Sequence, residues 1–166
     1  YNNNNKPKPK VAIISTEWTN SQNEMKRYYN RAWFDVYDVH LNDLISWKHK
    51  LDTFQSLALA WWFSHWDVLG AGVWFAQTIL NRPELRSQFE NYAWYILWTC
   101  NWKQMITELA EILEGWDKFP KMVHNDSHSF EARKVQVQIK ENSDSVFLKD
   151  MWWSIISQIN SHWEWK

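Results

Sequence analysis

The sequence holds three glycines in 166 residues, where an ordinary chain has glycine at about 7% of its positions. Glycine enters the left-handed region of backbone space without steric cost, so turns that need a positive φ have almost no natural occupant here. Cysteine occurs once, at Cys100. That excludes an internal disulfide and metal sites of the CxxC type, and leaves any role for sulfur to a lone thiol. An excess of one charge is also missing: 18 basic against 19 acidic residues give a net charge of -1, so no strong field selects nucleic acid or an anionic membrane. No apolar run reaches the roughly 18 residues of a membrane helix, and the opening YNNNNKPKPK has no apolar core of a signal peptide. A soluble cytoplasmic protein without nucleic-acid or membrane partners is the expectation, and the chain has no internal repeat.

Tryptophan is present in excess, with 15 residues, and apolar side chains make up 45%, enough for one globular domain with a real core. Residues 1–10, an Asn run followed by alternating Lys and Pro, read as a linker or tail joined to something upstream, and residues 11–166 as the domain. Residues 11–15 are a short apolar run fit for a buried strand, and 20–33 carry helical spacing, with Met25, Tyr28, Tyr29 and Ala32 on related faces. Further strands are expected over 35–41, 56–61 and 95–100, and helices over 71–80, 83–92 and 101–113. This alternation implies an α/β fold with a doubly wound, mostly parallel sheet, whose ligands sit beyond the carboxyl ends of the strands. After Gly115 the pattern changes to strand-like alternation over 130–139 and 155–161, an added antiparallel section.

The sharpest local feature is YILWTCNWKQMITELAEIL, an apolar strand that ends at Cys100 and passes at once into an amphipathic helix. In a nucleophile elbow a tight turn of this layout holds the nucleophile at a helix N-terminus, where the macrodipole and free N–H groups lower a thiol's pKa and stabilise an oxyanion. Such elbows read G-x-C-x-G because small neighbours permit the strained turn, whereas here Trp98 and Trp102 flank the cysteine. On layout alone, a lone cysteine at a strand end is more often a small core residue than a nucleophile.

Five stretches occur in series: DVYDVHLNDL (35–44), FSHWDVLGAG (63–72), CNWKQM (100–105), FPKMVHNDSHSFEAR (119–133) and SHWEW (161–165). Together they resemble the class I glutamine amidotransferase domain, of flavodoxin-like fold, in the large single-chain phosphoribosylformylglycinamidine synthases. That family reads GGFSYGDVLGAG, GVCNGCQM, WPRFVRN followed by S-x-x-FEAR, and SHGEG. The resemblance runs over residues 9–166. Trp18, Trp33, Trp47, Trp61, Trp62, Trp66, Trp74, Trp98, Trp102, Trp153, Trp163 and Trp165 all stand where the family pattern has glycine. Random drift does not choose one replacement a dozen times, so these codons are expected to be UGA, which some bacterial lineages read as glycine. Literal indoles at 98 and 102 would crowd the elbow, and at 61 and 62 would fill the oxyanion region.

The resemblance implies glutamine hydrolysis that supplies ammonia to a synthetase region of the same protein. That region uses ATP to convert formylglycinamide ribonucleotide to its amidine in purine synthesis. Cys100 would attack the L-glutamine carboxamide, giving a glutamyl thioester and free ammonia. The N–H of Asn101, with one from the turn at Trp61 and Trp62, would form the oxyanion hole. Gln104, Ser161, His162 and Trp163 would hold the glutamine, although Gln104 also reads as an ordinary polar helix residue. The family's catalytic pair lies in P-H-P-E-R, well beyond SHGEG and absent here. The chain is therefore expected to be truncated after Lys166, without its general base and inactive alone. His162 as that base is the lesser reading.

No cofactor is expected within the chain, ATP and magnesium belonging to the upstream synthetase region, and nothing resembles a phosphate-binding glycine loop. No metal site is expected either: His124 and His128 are four apart, but Asn125, Asp126 and Ser127 between them favour a loop over a metal-binding helix. Asn125-Asp126-Ser127 is formally a glycosylation sequon. Asp67 reads as a helix cap, and Gly70 and Gly72 as a tight turn. A non-catalytic or differently specific thiol-dependent member of the same fold is the alternative function.

Overall fold

Lys10–Ser15 (β1) is buried from its second residue to its last, as a strand must be when both faces of its sheet are covered. The computed structural model describes residues 6–60, 71–99, 101–113, 122–143 and 145–164. Three further strands, Asp35–His40 (β2), Ser56–Leu59 (β3) and Tyr95–Trp98 (β4), join β1 in a parallel sheet of order β2-β1-β3-β4. Between them lie the helices Gln22–Arg31 (α1), Leu41–Ile45 (α2), Ala71–Leu80 (α3) and Pro83–Glu90 (α4), and after β4 comes Asn101–Glu108 (α5).

Alternate strand residues face opposite sides of a sheet, and the core divides accordingly. Val11 and Ile13 of β1 and Ala58 of β3 pack on one side with Tyr29, Met25 and Phe34 in and beside α1. Ala12, Ile14, Leu57 and Leu59 pack on the other with Leu44 of α2, Phe75 and Ile79 of α3, Phe89 of α4 and Met105 of α5. The sheet is thus wound on both faces, the α/β arrangement expected from the sequence. Of the paired tyrosines on α1, Tyr29 is buried, its hydroxyl 3.4 Å from Ser56 Oγ, while Tyr28 is exposed.

Several boundaries differ from the expected ones for local reasons. Residue 41 does not close β2 but opens α2. His40 Nδ1 accepts the Asn42 N–H at 3.2 Å, and the His40 N–H reaches Asp43 Oδ2 at 3.4 Å, a reciprocal cap that starts the helix at once. α5 stops at Glu108 rather than 113, the chain continuing in tighter turns such as Ile112 N–H to Leu109 O. Gly72 is not in a turn; it is the second residue of α3.

Residues from Met122 onward form a compact unit of their own, separate from Tyr1–Lys121. Its centre is an antiparallel pair, Glu131–Gln138 (β5) and Ile155–His162 (β6), in a register running from Glu131 opposite His162 to Gln138 opposite Ile155. Both strands fall within about a residue of their expected bounds. Among the described residues no helix is long and apolar enough to cross a membrane.

Candidate active site

Parallel strands deliver their carboxyl ends to one edge of the sheet, where ligands of such folds bind. Thr99, just past β4, donates its hydroxyl to the carbonyl of Leu59 at the end of β3 (3.1 Å). The Trp102 N–H returns to the Thr99 carbonyl at 3.3 Å, so the passage from β4 into α5 is one tight turn. The strand–turn–helix layout expected of an elbow is present. Cys100, the expected nucleophile, lies outside the described residues, as do Trp61 and Trp62 of the expected oxyanion region, and Asp67 and Gly70. Asn101 is the first residue of α5, where N–H groups have no intrahelical partner.

One turn further along α5, Gln104 is buried at 6% exposure. A Cβ placed on Gly72 would stand 2.4 Å from Gln104 Cβ and 2.7 Å from the Met105 backbone nitrogen, so α3 and α5 meet across a contact only glycine permits. Trp102 is fully buried, its ring 4.8 Å from that of Phe75 on α3 in an edge-to-face arrangement. Burial lowers the pKa of Lys103 on the same helix, favouring its neutral amine.

The remaining expected glutamine-binding residues belong to the second unit. Ser161 and His162 end β6 opposite Ala132 and Glu131, and Trp163 follows with its ring 5.8 Å from Phe130. His162 is buried, and its Nδ1 accepts the Glu164 N–H at 3.1 Å. Asn125 organises this end of the ribbon. Its N–H donates to the Trp163 carbonyl at 3.0 Å, and its side-chain amide donates to the carbonyls of His162 (2.9 Å) and Ser129 (3.0 Å). An amide so engaged and buried is a structural clamp, not an open sequon. Sequence reading passed over this role, although Asn125 is the asparagine of the FVRN-like stretch. Glu131 of FEAR accepts from the Ser127 hydroxyl at 2.7 Å and pairs with Arg133, so that motif braces the strand locally. The His124 and His128 rings lie 6.4 Å apart, and among the described residues no group of three His, Cys, Asp or Glu side chains is placed to hold a metal.

The clamp makes a direct prediction. Asn125→Ala removes the two side-chain hydrogen bonds to the carbonyls of His162 and Ser129 and is expected to destabilise the protein by about 1–2 kcal/mol. Hydrogen exchange at residues 161–164 should accelerate more than at β1, and equal protection at both places would contradict the clamp.

Comparison with protein families matches residues 8–164 to the CobB/CobQ-like glutamine amidotransferase domain. Among solved structures, that of PurLQS from Thermotoga maritima is similar in fold. It is 20% identical, with a TM-score of 0.65 over 95% of this chain and 68% of the other.

Proposed function

The chain belongs to the CobB/CobQ-like glutamine amidotransferase domain family, and from that membership we propose that it hydrolyses L-glutamine and passes the ammonia to a phosphoribosylformylglycinamidine synthetase component. The observation that carries this reading is the hydrogen bond from the Trp102 N–H to the Thr99 carbonyl that ties the end of β4 to α5, the two residues bracketing Cys100 in the sequence, inside a domain match that spans 8–164. The five serial motifs and the fold likeness to PurLQS support the purine-pathway assignment.

In the proposed reaction the Cys100 thiolate adds to the carboxamide carbon, the carbonyl oxygen taking up negative charge beside the N–H of Asn101 and the turn at Trp61 and Trp62. The amide nitrogen takes up a proton, and collapse expels it as ammonia and leaves a glutamyl thioester. Water then releases glutamate and regenerates the thiol. Gln104, Ser161, His162 and Trp163 are proposed to hold the glutamine. P-H-P-E-R is absent from these residues, so the general base is assigned outside them and turnover by these residues alone is not expected. ATP and magnesium are assigned to the synthetase component, with a cytoplasmic location. The ammonia there replaces the carbonyl oxygen of formylglycinamide ribonucleotide at the expense of ATP.

The test is ammonia release from L-glutamine by the natural polypeptide with its synthetase component, formylglycinamide ribonucleotide, ATP and magnesium. Amidine formation in step with glutamate is expected. A folded protein that leaves glutamine intact would overturn the assignment. It would favour the second reading, a non-catalytic member of the fold, to which the fully buried Trp102 gives a specific basis.

A further inference from the structure

Eight non-glycine residues among those described have positive φ, and four of them are tryptophan: Trp18 (65°), Trp33 (68°), Trp47 (58°) and Trp153 (68°). Three of the other four are His128, Asn142 and Asp150, types that tolerate the left-handed region; a bulky aromatic side chain does not. The other described tryptophans, Trp74, Trp94, Trp98, Trp102, Trp152 and Trp163, are not among the eight.

Each of the four occupies a position that glycine fills for stereochemical reasons. Trp33 follows the C-cap Ala32 of α1. Its N–H bonds to Asn30 O at 3.1 Å, the next N–H, of Phe34, bonds to Tyr29 O at 3.0 Å, and the Phe34 and Tyr29 rings meet at 5.1 Å. This is the full Schellman motif with its hydrophobic contact, whose left-handed residue is usually glycine. Trp47 stands at the same place after α2, its N–H on Leu44 O at 3.2 Å. Trp18 is third of four in the turn closed by Thr19 N–H to Thr16 O (3.2 Å), and Trp153 third in that closed by Ser154 N–H to Met151 O (3.0 Å). A positive φ at the third position of such a turn calls for glycine. Nor does packing explain the indoles, which are 44% to 78% exposed.

We infer that the natural polypeptide carries glycine at positions 18, 33, 47 and 153, from codons read there as glycine. The left-handed backbone at these four positions adds a stereochemical ground to the expectation from the family pattern, and it does not depend on the proposed activity.

Peptide mass mapping of the protein isolated from its own cells is the first test. Glycine at the four positions is expected; tryptophan at them overturns the inference. Melting of the full-length recombinant chain is the second. Glycine at all four positions together is expected to raise Tm by roughly 10 °C or more over tryptophan, and alanine at the same four is not. Equal gains from alanine would show that mere loss of exposed bulk is responsible, and would overturn the stereochemical basis.

Discussion

Cys100→Ser in the natural polypeptide is expected to lower kcat/KM for glutamine hydrolysis by about 10³-fold or more, with little change in Tm. A thiol is the one side chain here that ionises readily and attacks a carboxamide well. A serine hydroxyl needs an activating base at the moment of attack, and none is held among these residues by the proposed reading. The setting favours the thiolate further. α5 begins at Asn101 and runs eight residues to Glu108, so the positive end of its dipole follows residue 100 directly in the sequence. Two measurements separate this from general damage. The serine variant should keep the parent's melting midpoint, and it should lose covalent labelling by a diazoketone analogue of glutamine. Retention of glutamine hydrolysis by the folded serine variant would remove Cys100 from the mechanism and with it the proposed function.

Much of the parallel core was legible because buried strands declare themselves. The run 11–15 lies within β1, and 71–80 coincides with α3, since apolar runs and 3.6-residue periodicity are local signals. Leu41 was misplaced because His40 is an unusual capping residue, and a side chain that caps from a strand end leaves no periodic trace. The overlong reading of α5 has a similar origin. Leu109 and Leu113 keep the helical spacing and are buried, yet their backbone turns tighten after Glu108. The division at Met122 is visible in sequence only as the change of pattern after Gly115. Of the candidate site, the strand–turn–helix at β4 and α5 was readable, whereas the Asn125 clamp depends on contacts with residues 37 positions away and more. The glycine deficit was itself a signal. Four left-handed tryptophans now supply its physical counterpart, at helix ends and turns where composition alone could not have placed them.

The second large effect concerns Gly72. In an open helix, Gly→Ala stabilises by about 1 kcal/mol because the unfolded chain loses freedom. At position 72 the sign should reverse. The atoms that meet an added Cβ are Gln104 Cβ at 2.4 Å, the Met105 nitrogen at 2.7 Å and the Gln104 carbonyl carbon at 2.9 Å. None is the movable tip of a long side chain, so relief requires α3 and α5 to part. Gly72→Ala is expected to cost about 1–2 kcal/mol net, and Gly72→Leu about 3 kcal/mol or more, lowering Tm by ~6–12 °C. The displacement falls on the helix whose first residue follows Cys100 and whose Gln104 is the proposed glutamine contact. Glutamine hydrolysis by the alanine variant is therefore expected to drop about tenfold or more at temperatures where it remains folded. A Gly72→Ala protein as stable and as active as its parent would mean that the two helices are not held at this distance. The positioning of Gln104 through Gly72 would then have no basis.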